Sequence, residues 1–351
     1  MSSAALRDGI LAVPVIDISS FRMPYADAAA RAGVVRQVDA AARTVGFMQI
    51  TGHGISASTL SDFTSATDAF FALDAGAKAK YRCPPGINRG YTPPRAESLA
   101  NSLGLASAAD LFEAINVGTP AADFPALDLP ADIYAGNVYP TAEVPDFEAA
   151  VTAWFDAAGR VARTMVRIFG AALGGSEDHF ERFTDHSIDV LRMNNYRLPG
   201  PDAEVAPDQL GMGAHTDYGI VTVLWADQVP GLEIHGADGN WHPVMPADGA
   251  LLVNLGDATA RWTNEEWIST LHRVAAPRVG GTLVPRRSAA YFHDGNVDAV
   301  IEPLPSCVTE GNPARYQPVT VREHLAAKLA GSRGGELNPY ATREVARLRS
   351  A

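Results

Sequence analysis

Apolar positions along the chain change their period about halfway. In the first half they recur at helical spacing. Residues 26–44 are Ala-rich with Val34, Val35 and Val38 on one face, and residues 57–72 repeat the pattern with Leu60, Phe63, Ala66, Phe70 and Phe71. The longest such run, from Asp146 to Leu173, carries Phe147, Val151, Trp154, Phe155, Ala158, Val161, Met165 and Ile168 mostly three and four apart, a stripe that predicts packing against a sheet. Gly174-Gly175 supplies the glycine that ends a helix. Val13–Asp17 and Gly46–Ile50 read as short strands, the second closed by the turn Thr51-Gly-His-Gly54. Residues 82–108, with Pro84, Pro85, Gly86, Gly90, Pro93 and Pro94, read as a functional loop, and 119–145 as irregular chain.

From Ile188 the period shortens. The runs 188–196, 220–225, 231–235, 250–254, 270–276 and 288–293 are β-rich and separated by Gly, Pro, Asp and Asn, which predicts a β-sandwich or barrel. Helical spacing returns at 321–330 and again at 340–348. No internal repeat or low-complexity segment interrupts this plan.

Composition narrows the class. Of 351 residues, 47% are hydrophobic and 19% charged, which excludes bulk disorder. With 28 basic against 40 acidic residues the net charge is −12, which argues against a nucleic-acid partner or an anionic membrane. Cys83 and Cys307 are too few for a disulfide framework or a Cys-rich zinc site, and fit a reduced, cytoplasmic protein. The N-terminal residues lack a basic segment followed by an apolar core, and no run reaches the ~18–20 apolar residues that span a bilayer. The expectation is a soluble cytoplasmic protein.

The strongest chemical signal is Gly213-Ala-His215-Thr-Asp217. In a strand, residues two apart share a face, so His215 and Asp217 aim an imidazole and a carboxylate at one point. A lone His-x-Asp is more often a surface pair, so a third group is needed. His272, in Ser269-Thr-Leu-His272-Arg273-Val274, is the candidate from another strand. Two histidines and a carboxylate on one face are the ligand set of non-haem Fe(II) oxygenases, with positions left open for O₂ and a chelating cosubstrate. The same set can hold zinc for hydrolysis, but no general-base Glu accompanies it.

Residues 190–295 resemble the catalytic core of the isopenicillin-N-synthase-like family of 2-oxoglutarate- and Fe(II)-dependent dioxygenases. The matching pieces run in order: Asn194-Asn-Tyr196, His215-Thr-Asp217, Pro230-Gly-Leu-Glu-Ile234 with Gly239-Asn-Trp241, Val253-Asn-Leu-Gly256-Asp257, Thr263-Asn264, His272-Arg273-Val274 and Arg286-Arg-Ser288. Upstream, Val13–Asp17, Gly46–Ile50 with His53-Gly54, Phe70-Phe71 and Gly90-Tyr91 also match, so the resemblance covers about four-fifths of the chain.

The resemblance implies a mainly β fold with flanking helices: a double-stranded β-helix (a jelly-roll or cupin-type barrel) with an α-helical N-terminal extension. Its implied organisation is a mixed α/β N-terminal extension over 1–145, a barrel core with bracing helix over 146–310 and a C-terminal helical tail over 311–351. It implies Fe(2+) held by His215, Asp217 and His272, with 2-oxoglutarate as cosubstrate, O2 as oxidant and ascorbate as a reductant. An arginine meets a carboxylate bidentately and stays charged, so Arg286 and Ser288, two apart on one strand face, are expected to hold the far carboxylate of 2-oxoglutarate. Asn194 and Tyr196 join them from an adjacent strand. Arg287 alternates to the other face and is expected in solvent; a register slip of one residue would make it the clamp instead.

The implied reaction oxidises, most simply hydroxylates, a C–H bond of a small organic molecule and releases succinate and CO2. Asp217 argues against halogenation, which uses a small residue there. Substrate contacts are expected from the 82–108 loop with Tyr91, from the region around Phe112, from Tyr218 and Phe292, and from the segment after 295. Three alternatives stay open: an iron oxidase of the same fold that uses no 2-oxoglutarate, ethylene formation (suggested by Gly213–Gly219 with Ala290-Tyr-Phe-His293), and an inert binding module. Two features depart from the pattern. The fourteen residues from His272 to Arg286 are a long gap, with Arg278-Val-Gly-Gly281 as an extended hairpin turn, and Asn137-Val-Tyr139-Pro140 lacks the usual Trp before Pro. Asn254, Gly256 and Asp257 read as turn and strand-packing residues.

Overall fold

The computed structural model describes residues 6–7, 10–103, 109–196 and 209–334. The helical spacing at 340–348 lies outside the described residues.

Twelve strands build two sheets among the described residues. In chain order they are β1 (Val15–Asp17), β2 (Phe47–Thr51), β3 (Gly90–Thr92), β4 (Glu113–Gly118), β5 (Ser187–Asn195), β6 (Met212–His215), β7 (Val221–Ala226), β8 (Leu232–His235), β9 (Trp241–Pro243), β10 (Leu251–Leu255), β11 (His272–Val274) and β12 (Arg287–Asn296). The major sheet has the order β1-β2-β10-β7-β12-β5-β4-β3, and the minor sheet β9-β8-β11-β6. All pairs are antiparallel except β1 with β2. This is the double-stranded β-helix. Strands from residues read as an N-terminal extension form both ends of the major sheet.

The helices that bear on the site are α1 (Ala28–Thr44), α2 (Ala57–Ala72), α3 (Phe147–Ala172), α4 (Asp257–Trp262) and α5 (Val321–Gly334). Asp27 and Ser56 cap α1 and α2, each accepting an N–H of the first turn. The stripe on α3 does bury against the sheet. Met165 is fully buried, Trp154 stacks on Phe63 at 4.7 Å, and Phe155 meets Tyr291 edge-on at 5.0 Å. The sheet residues on this side are Leu191, Met193, Val221, Val223, Val253 and Tyr291.

Residues of opposite parity on the same strands face the interior between the sheets. There Asn194, Arg192 and Val190 of β5 lie beside Ser288, Ala290 and Phe292 of β12, in register. Both faces of β5 are therefore covered and all nine of its residues are buried. A strand covered on both sides loses the alternation that betrays a half-exposed one.

Some expectations need correction. β4 was not anticipated, and β3 lies inside the stretch read as a loop, because Glu113 and Asn116 are buried polar residues that break an apolar pattern. Asp257 opens a short helix rather than a turn. The long gap before Arg286 is taken up by the small hairpin Arg278–Val279 with Thr282–Leu283, which leaves the register of β12 unchanged.

Candidate active site

A cavity of about 420 Å³ opens between the two sheets, within the range of small-molecule sites. His215 ends β6 and His272 begins β11, directly opposite one another. Asp217 is not in the strand, as its spacing suggested, but in the turn that follows. Backbone N–H groups at the start of α4 hold that turn, Asp257 donating to the Asp217 carbonyl at 2.9 Å.

The three side chains converge. Asp217 Oδ1 lies 3.8 Å from His215 Nε2 and 3.6 Å from His272 Nε2, and one ligand atom from each residue falls within 4.8 Å of the others. His215 Nδ1 is 2.8 Å from the Gly213 carbonyl and His272 Nδ1 is 3.0 Å from that of Thr270. Each Nδ1–H donates to its carbonyl, so both Nε2 lone pairs point inward. Burial, with His272 second, pushes the His215 imidazole down to about 3, so it is neutral near pH 7. Asp217 Oδ2 accepts from Thr222 Oγ1 and from Asn254 Nδ2 (2.6 Å), leaving Oδ1 for a cation. The donor set and its tautomers fit Fe(II).

The other end of the cavity fits a dicarboxylate. Arg286 is 2% exposed, its guanidinium 5.1 Å over the Tyr196 ring, with Nε donating to the Val229 carbonyl. Its Nη1 is buried without a hydrogen-bond partner among the described residues. A buried charged donor in that state costs several kcal/mol unless a ligand meets it. Ser288 Oγ and Asn194 Nδ2 lie 3.4 Å apart beside it. Arg287 faces the other way, though not into solvent as expected: it pairs with Asp68 at 2.8 Å, covers the Phe71 ring and donates to Asn195.

Of the expected substrate contacts, Tyr218 and Phe292 line the cavity. Tyr91 and Phe112 do not. Tyr91 points into the helical core and donates to Glu113, itself paired with buried Lys78. Phe112 packs behind the wall, beneath the Arg192 guanidinium and beside Tyr196.

Two features were missed by sequence reasoning. Asn254 is not a packing residue but an orienting donor to Asp217; a lone Asn in the apolar run Leu251–Leu255, with the parity of the inner face, was the available signal. Asn254→Leu is expected to weaken Fe(II) binding about 10- to 100-fold with the fold intact, measured by anaerobic metal titration. The second is how α5 is fixed: contacts were expected from the segment after 295, and Leu325, Ala326 and Leu329 do line the cavity, but the anchor that holds them there was not foreseen. The helix is locked by Lys328 Nζ on Asp257 Oδ2 at 2.7 Å, both almost fully buried. Burial raises the Asp257 pKa, but Lys328, His324 and Ser269 together outweigh it and bring the carboxyl below its ordinary 3.8. The pair's contribution is therefore full above that pH and lost as pH falls below it. Lys328→Met strands a buried carboxylate and should cost about 3–5 kcal/mol in urea unfolding.

Comparison with known proteins agrees with this geometry. The family model described as "2OG-Fe(II) oxygenase superfamily" matches residues 188–295, and that of the "non-haem dioxygenase in morphine synthesis N-terminal" matches 13–142. A "2-oxoglutarate-Fe(II) type oxidoreductase hxnY" of Emericella nidulans is 32% identical over 330 residues, covering 92% of this chain and 91% of its own. Validamycin A dioxygenase of Streptomyces hygroscopicus subsp. limoneus is 31% identical, covering 90% and 85%. A full-length Neurospora crassa protein, crystallised in complex with alpha-KG and thymine, superposes with a TM-score of 0.80 at 26% identity, covering 94% of this chain and 99% of that one.

The chain belongs to the 2-oxoglutarate/Fe(II) dioxygenase family. It is an oxidoreductase that uses Fe(II), 2-oxoglutarate and O2 to oxidise a small organic molecule.

Proposed function

We propose that His215, Asp217 and His272 hold the iron, that Arg286 with Ser288, Tyr196 and Asn194 receives the far carboxylate of 2-oxoglutarate, and that the product is an alcohol. The observation that carries this reading is the unmatched Nη1 of Arg286, buried in the same cavity onto which the three ligand atoms converge. Bound iron, with 2-oxoglutarate and O2, supplies C–H oxidation with release of succinate and CO2.

The chain's own residues supply position and exclusion. Arg286 and Ser288 fix one end of the cosubstrate so that its other end faces the iron ligands. Thr222 and Asn254 hold Asp217 with one oxygen free. Leu325, Leu329, Val190 and Phe292 give the rest of the cavity apolar walls that keep bulk water from the reacting bond.

The partner is a small molecule rather than nucleic acid or membrane, a reading supported by the −12 charge. Cys83 and Cys307 are free, which supports a reducing cytoplasm. No described helix is long and apolar enough to cross a membrane. The test is a substrate screen by succinate release with mass spectrometry of the products. Succinate formed one-for-one with a product heavier by one oxygen is expected; oxidation without succinate would contradict it.

A further inference from the structure

Three buried carboxyl groups lie close together at the inner end of β12, and two of them are answered. Asp189, on the helical side, accepts from Tyr291 Oη at 2.7 Å and Ser187 Oγ at 2.8 Å, with His293 Nδ1 at 2.7 Å. Asp217 has Thr222, Asn254 and the metal position. The third, Asp294, is 9% exposed and lines the cavity. Among the described residues it has no hydrogen bond and no ion pair.

The nearby basic groups are engaged elsewhere. Arg192 donates to Glu97 at 2.7 Å, Lys328 pairs with Asp257, and Arg322 lies exposed at the rim. Burial, then Asp189 and Asp217, push the Asp294 carboxyl well above its ordinary range. The chain also leaves it room: a Cβ on Gly219 would fall 1.9 Å from Asp294 Oδ1. A second acceptor on the same wall, Asn116 Oδ1, is buried without a partner as well.

We propose that Asp294 anchors a basic nitrogen of the substrate, so that the enzyme selects small molecules that carry an amine or another cationic N–H group beside an apolar body. An N–H-bearing cation supplies what the carboxyl lacks, and Phe292, Ile188 and Leu325 supply the apolar contact. The inference rests on the iron-site reading above.

The test titrates the anaerobic Fe(II)–2-oxoglutarate complex with hexylammonium against hexanol, and with benzylammonium against benzyl alcohol. Binding is read as the perturbation of the visible charge-transfer band of the Fe(II)–2-oxoglutarate complex. The ammonium member of each pair is expected to bind about tenfold or more tightly. Asp294→Asn should erase that preference while leaving the band itself in place, and Asp294→Glu should retain part of it. Because the band reports an intact site and Asp294→Glu keeps the carboxyl group, a poorly folded Asp294→Asn does not remove the test. Equal binding, no response to the ammonium members, or a preference that survives in Asp294→Asn would overturn the proposal. Absence of the band in the unaltered protein would overturn the iron-site reading, and this inference with it.

Discussion

Asp217→Ala is expected to abolish turnover through loss of iron. Asp217 supplies the only carboxylate among the three converging groups, and its Oδ1 is the atom that both Nε2 atoms approach. Removing it takes away the anionic ligand and leaves two imidazoles, one ligand short of the set that the two histidines and a carboxylate make for Fe(II). It also leaves Thr222 Oγ1 and Asn254 Nδ2, both buried, without their acceptor. An outer partner such as Asn254 is worth about 10- to 100-fold in affinity, and the ligand itself should exceed that. Anaerobic Fe(II) titration is expected to show affinity down by more than ~100-fold, with the far-ultraviolet circular dichroism unchanged. Retention of tight iron binding would mean that the metal sits elsewhere.

Arg286→Ala and Arg287→Ala are expected to behave in opposite ways. Arg286 is buried in the cavity with an unmatched donor, so its loss would remove the charge-assisted pair proposed with 2-oxoglutarate. At about 1.5–3 kcal/mol for a hydrogen bond to a charged group, the 2-oxoglutarate requirement should rise roughly 10- to 150-fold. Arg287 lies on the helical side against Asp68, which is largely exposed, so its pair is worth at most about 1 kcal/mol. Arg287→Ala should lower the melting temperature slightly and leave the 2-oxoglutarate requirement alone. Steady-state kinetics in 2-oxoglutarate separate the two; the reverse pattern would place the clamp one residue along β12.

The register that decides this question was legible because β12 alternates cleanly. Arg286, Ser288, Ala290, Phe292 and Asp294 face the cavity, while Ala289 and Tyr291 face the helices. The His-x-Asp spacing and the distant His272 were legible too, although the reason given for the first was incomplete. Asp217 meets His215 through a turn pinned by α4, not through strand pleating.

What stayed hidden depends on long-range pairing. Tyr91 looked like a loop residue at the barrel mouth, but its neighbour in the sheet is Ile115, and its hydroxyl reaches Glu113. Nothing local announces that Glu113 belongs to a strand, or that Lys78 neutralises it. The same holds for α5. Its helical spacing is plain, but that Lys328 would reach Asp257 across the fold, and so bring Leu325 and Leu329 to the cavity, follows only from the tertiary arrangement. Asp294 lies just past the β-rich run 288–293, and its place on the inner face follows only from the strand running on to Asn296.

The central claim is that one cavity holds both the iron and its cosubstrate. The most direct measurement adds Fe(II) to metal-free protein without oxygen, then 2-oxoglutarate, and records the visible spectrum. A weak visible charge-transfer band, appearing only when both are present and saturating at one iron per chain, is the predicted result. Tight iron binding with no band on adding 2-oxoglutarate would contradict it.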